Sequence, residues 1–149
     1  MVHTFSDNKY TYSVDMMFAY IHFNRPNYVR LRVDDLLHNL EEDSWDDLSR
    51  DEIYSPLTVL QNPKQYKSEY ERIEKADLSF PIIVNPKMDI IDGLHRLCKS
   101  YLQKNDSIKA YIFDNNLMTK FVIARADELD KVDNMQTYQF ITKYVEMFR

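Results

Sequence analysis

"MDIIDGLHRLCKSYL", Met88 to Leu102, holds the one glycine of a 149-residue chain. Two β-branched residues, Ile90 and Ile91, end a short apolar run. Asp92-Gly93 then reads as a sharp turn. From Leu94 the apolar positions fall at 94, 97, 98, 101 and 102, the spacing of one helical face. The stretch therefore predicts a strand that turns at once into a helix. Such a junction leaves backbone N–H groups unpaired at the helix start, where the dipole is positive. His95 and Arg96 lie off the apolar stripe and are expected to face outward.

Two readings stand on residue types alone. In the first, Gly93 lets an anion approach bare N–H groups, and His95 and Arg96 complete a phosphate site. In the second, Asp92 caps the helix, Gly93 makes the turn, and His95 and Arg96 are solvated. An arginine in the first helical turn opposes the dipole, which favours a negative partner nearby.

Outward from this unit the chain alternates helices and strands. "FPIIV" before it reads as a strand, with Asn85-Pro86-Lys87 as a turn between the two strands. "IKAYIF" (Ile108 to Phe113) reads as the strand that follows. Earlier, Ser13 can cap a helix carrying Val14, Met17, Phe18 and Ile21. "YVRLRV" alternates Val29, Leu31 and Val33 with polar residues, the period of a half-buried strand. "DDLLHNLEEDSWDDLSRDEIYSP" reads as a short helix followed by a surface segment ending near Pro56. "YKSEYERIEKADL" reads as a helix with Tyr66, Tyr70, Ile73 and Leu78 on its inner side. Asp114 can cap a helix with Leu117, Met118, Phe121 and Val122. A last amphipathic helix is expected through Tyr138, Ile141, Val145 and Phe148. The expected class is α+β: a small mixed sheet flanked by helices, in one domain over residues 1–149.

Composition narrows the function classes. Net charge is −5, which argues against a sequence-independent grip on nucleic acid. No apolar run approaches the ~20 residues of a membrane helix, and the N-terminus lacks a signal peptide's apolar core. A single cysteine, Cys98, forms no internal disulfide, so a reducing, cytoplasmic setting is expected. The four histidines (His3, His22, His38, His95) show no zinc spacing. A Walker-type phosphate loop is absent, which excludes the P-loop route.

The segment Phe80 to Phe113, and "DGLHR" most of all, resembles the central unit of the ParB/sulfiredoxin superfamily. "VRLRVDDLL" resembles the family's opening strand and Asp-Leu helix. The resemblance implies a ParB/sulfiredoxin-like core over residues 28–113 with N- and C-terminal helical extensions. Sulfiredoxins carry a reactive cysteine before the His-Arg pair. Leu94 stands there instead, and Cys98 lies on the apolar stripe, so sulfinic-acid reduction is not expected. Chromosome-partitioning members carry Glu-Arg-Arg in the turn, bind a cytidine nucleotide and continue into a helix-turn-helix domain. From the length of chain after Phe113, that domain together with a dimerisation region is not expected.

The Asp-Gly-x-His-Arg form is that of the family's free-serine kinases. By matching position, Gly93, His95 and Arg96, with Leu94 between them, are implied to bind the nucleotide's phosphates. Asp92 is implied to orient a hydroxyl or a Mg²⁺ ion, and Glu41 or Glu42 to stand near the base position. Lys99, a turn after His95 on the same face, adds charge to such a site or serves only solubility. The resemblance thus implies an ATP- or ADP-dependent (less so CTP-dependent) small-molecule phosphotransferase or a nucleotide hydrolase, with a small hydroxyl-bearing substrate. Two alternatives remain: a non-catalytic nucleotide-sensing or protein-interaction module, and a DNA-associated or nuclease-like role carried over from the family. A homodimer is left open. The acidic run around Trp45 is expected to be solvated, with Trp45 either a lid or an anchor.

Overall fold

The structure, a computed structural model, describes residues 3–47 and 49–125 and, beyond them, Gln139, Thr142 and Glu146 in helical conformation. The expected C-terminal positions Tyr138, Ile141, Val145 and Phe148 lie outside the described residues. In chain order the elements are β1 (Thr4–Ser6), β2 (Tyr10–Ser13), α1 (Val14–Asn24), β3 (Val29–Arg32) and a 3-10 helix (Val33–Leu40). There follow β4 (Trp45–Asp47), β5 (Glu52–Tyr54), α2 (Pro56–Gln61), α3 (Lys67–Lys75), β6 (Ile82–Val84) and β7 (Ile90–Asp92). The last are α4 (Leu94–Leu102), β8 (Ser107–Ile112), α5 (Asn115–Thr119) and β9 (Val122–Arg125). Helices and strands are thus mixed, as expected. None of these helices is long and apolar enough to cross a membrane.

The chain divides into two compact units, residues 28–112 and residues 1–27 with 113–149. In the second of these, β1, β2 and β9 form an antiparallel sheet in that order. Ser13 ends β2 and caps α1, its hydroxyl accepting from the Met16 N–H. Asp114 caps α5 in the same way, accepting from Leu117 N–H at 2.7 Å. Phe113 and Phe121 stack, and Tyr20 sets its edge against both. The N-terminal strands have no counterpart in the sequence reading. Each is three or four residues long, too short to show a period.

The unit over residues 28–112 contains a four-stranded sheet in the order β3-β8-β6-β7. β6 runs parallel to β8, and the other two pairings are antiparallel. α4 lies in the crossover that this parallel pairing requires. Its fully buried Leu97 and Cys98 join Leu36, Val59, Ile73 and Ile82 in one core. That stripe is shorter than the sequence predicts: Tyr101 is 41% exposed and Leu102 40%. The helix ends at Leu102, and Ser100, only 1% exposed, takes the inner position instead.

The segment expected to be featureless surface between the 3-10 helix and Pro56 is a hairpin. Trp45 pairs with Tyr54 across β4 and β5, an aromatic cross-strand pair of the kind that stabilises two-stranded sheets. Its apolar content is confined to a few residues among acids, which hides a strand pattern. Ser55 then caps α2 with Pro56 in its first turn. Scarcity of glycine has a backbone consequence. Arg25, Asp51, Met88 and Lys104 all take positive φ, at roughly 1 kcal/mol each relative to glycine.

Candidate functional site

Gly93 sits at φ 109°, a conformation that only glycine adopts without strain. A β-carbon there would stand 2.5 Å from Cγ2 of Ile82 and 3.1 Å from Nη2 of Arg96. The missing side chain is therefore replaced by neighbours within the protein. The turn can be this tight because β7 lies directly against β6.

Arg96 is half-buried and turned inward. It donates to Asp92 Oδ2 at 2.7 Å and to the carbonyls of Phe80 and Pro81 at 3.0 and 2.8 Å. The negative partner that its place in the helix calls for is Asp92, one turn back in the chain. Three guanidinium N–H groups are used in this way, out of five. Lys99 is likewise engaged: its ammonium donates to the carbonyls of Glu74 and Ala76 at 2.8 and 2.7 Å. These are groups at the C-terminal end of α3, where a cation is favoured. Arg96 and Lys99, expected to face a ligand, are thus held by protein atoms. Leu94 is half-buried against the core.

His95 is not solvated. Its Nε2 is hydrogen-bonded to Glu69 Oε1 at 2.5 Å, and Trp45 stacks on its ring at 4.6 Å between centroids. The imidazole and the carboxylate side chains are 24% and 15% exposed. Arg72 approaches the same carboxylate at 3.6 Å. Contacts between α3 and α4 advance together, Glu69 with His95 and then Glu74 and Ala76 with Lys99. The two helices therefore run side by side in the same sense. With a neutral imidazole, Nε2–H donates to Glu69 and Nδ1 keeps its lone pair.

Glu69 also lines a cleft of about 400 Å³ between the β4–β5 hairpin and the start of α3. Its cations are Arg50, Lys64 and Lys67; its acids include Asp46 and Asp47. Arg50 is paired with Asp47 at 3.6 Å, and Ser49 holds the Asp47 carboxyl below its usual range by hydrogen bonding. Lys64 and Lys67 have no ion-pair partner among the described residues. Tyr66 donates to Glu52 at 2.5 Å, which raises its pKa together with burial. Tyr54 packs on Tyr66 at 4.6 Å, and burial, then the Glu69 charge, raise its pKa. His95, Trp45, Tyr54 and Tyr66 thus form a continuous aromatic row that runs through the hairpin from α4 to the start of α3.

Glu41 and Glu42 are exposed at the end of the 3-10 helix. No hydrogen bond or ion pair joins either side chain to the turn at Asp92–Arg96 among the described residues. The acid that does meet the turn is Glu69, which the sequence reading missed. A signal for it existed. Glu69 follows Tyr66 by three residues and precedes Ile73 by four, so it shares their helical face. Of the Asp92 carboxylate, Oδ2 is held by the Arg96 guanidinium. No group of three or more metal-ligating side chains converges among the described residues. Compared with protein-family models, with curated proteins and with solved structures, the chain matches none.

Proposed function

We propose that the protein binds a small phosphate-bearing ligand in the cleft beside Glu69 and acts on it as a nucleotide-dependent phosphotransferase or nucleotide hydrolase. The Glu69–His95 hydrogen bond at the edge of a cleft that holds two lysines without an ion-pair partner among the described residues carries this reading. A carboxylate fixes the tautomer and orientation of an imidazole, which can then take a proton from a hydroxyl or water. As that oxygen bonds to phosphorus, the bond to the leaving phosphate oxygen breaks, and the electron pair leaves with it. The remaining work in phosphoryl transfer is positioning and charge neutralisation, for which Lys64 and Lys67 are placed. The "DGLHR" resemblance supports the same chemistry, with Glu69 rather than Glu41 or Glu42 as the acid on the histidine.

The test is turnover of ATP and ADP, with and without small hydroxyl acceptors, by wild type, His95→Ala and Lys67→Ala. Loss of phosphate release or transfer in both variants, with folding retained, is the expected outcome. Turnover that survives His95→Ala contradicts the assignment.

A second reading is a nucleotide-sensing or protein-interaction module. It is favoured by one observation: Gly93, Arg96 and Lys99 are all accounted for by internal packing. Saturable nucleotide binding without turnover supports this reading over the first.

A further inference from the structure

A second cleft, of about 450 Å³, opens at the far end of α4, where the chain leaves the helix and enters β8. Arg30 and Lys109 line it and stand directly opposite each other across β3 and β8. Like charges so placed are destabilising unless something negative lies between them. The Arg30 guanidinium has no hydrogen bond or ion pair among the described residues. Lys109 leans over the Tyr28 ring, 5.1 Å from its centroid. Ser100 also lines the cleft, at the inner side of α4. Asn105 adds a side-chain amide, and Leu78 one apolar wall. Asp106 is the single acid at the rim, so the cleft keeps a net positive charge.

We propose that this cleft is a binding site for a phosphomonoester. Arg30 and Lys109 neutralise the phosphate, Ser100 hydrogen-bonds one of its oxygens, and Leu78 meets the organic part. This cleft shares no lining residue with the one beside Glu69, so binding here does not depend on catalysis there. Arginine paired with a hydroxyl suits phosphate, whose oxygens accept several donors at once.

The experiment is a backbone-amide NMR titration of the whole chain with inorganic phosphate and, separately, phenyl phosphate. Saturable shifts at Ser100, Asn105 and Ser107 are expected, with phenyl phosphate the tighter ligand because of Leu78. Arg30→Ala is expected to weaken binding about tenfold, and Ser100→Ala to weaken it less. Arg30 is exposed, so its variant is expected to fold, and unchanged α4 amide shifts would verify that. Lys67→Ala, in the other cleft, is expected to leave these shifts unaltered. Absence of saturable shifts overturns the proposal, and so do shifts that persist equally in Arg30→Ala and Lys109→Ala.

Discussion

Glu69 and His95, 26 residues apart, are joined by a hydrogen bond that links the first turns of α3 and α4. Trp45 covers the imidazole from the hairpin side. If Glu69 orients His95 for proton transfer, Glu69→Gln keeps the fold but loses the charge that favours the correct tautomer. The expected result is a fall in turnover on the order of 100-fold. The urea midpoint should move little, because the amide oxygen still accepts the bond.

Gly93→Ala is expected to destabilise the protein by about 3 kcal/mol. Positive φ contributes part of this and the contact with Ile82 the rest. Ile82→Ala leaves a cavity of its own, yet removes Cγ2, the atom that clashes most closely. The two substitutions together should therefore cost less than their sum by about 1 kcal/mol, read as a double-mutant cycle in urea. Strict additivity would show that Ile82 is not what excludes a side chain at position 93.

Lys99→Met removes the cation on the last carbonyls of α3 while keeping the stem. A loss of about 1 kcal/mol in unfolding free energy is expected, with faster hydrogen exchange in the last turn of α3. Ligand affinity in the cleft beside Glu69 should stay as it was. A selective loss of affinity would return Lys99 to the binding site.

Burial, with the Glu69 charge adding to it, pushes the Cys98 thiol up to about 12 from an ordinary 9.0. The unfolded chain therefore loses this proton first as the pH rises. Stability from the neutral thiol is complete below pH 9.0 and is lost progressively as pH climbs toward about 12. Tyr12, Tyr54 and Tyr66, also raised, add to the decline above their ordinary 10.0. Urea midpoints measured across this range should fall, and Cys98→Ala should make the early part of the fall shallower. Cys98 should also resist thiol reagents until the protein unfolds.

Much of the central unit was legible in the sequence because its signals are local. Short apolar runs located β6, β7 and β8, an alternating period located β3, a helical period located α4, and capping residues located α1 and α5. Asp92, Gly93, His95 and Arg96 do share one turn. What they touch was not legible, because it depends on distant strands and helices. Arg96 reaches back to Phe80 and Pro81, and Gly93 needs Ile82, neither of which a helical pattern reveals. The hairpin of Trp45 and Tyr54 was hidden by its acidic surroundings. Glu69 was hidden among several acids on one helix, although its spacing from Ile73 marked the inner face.

Trp45 is the one tryptophan in the chain, and it rests on His95, so its emission reports directly on the proposed site. The decisive measurement is its fluorescence during titration with ATP, ADP and inorganic phosphate, in wild type and in the paired variant Lys64→Ala, Lys67→Ala. A saturable change is expected in wild type and its loss in the paired variant. Emission that no phosphate ligand alters, or that changes equally in the variant, contradicts the proposed site.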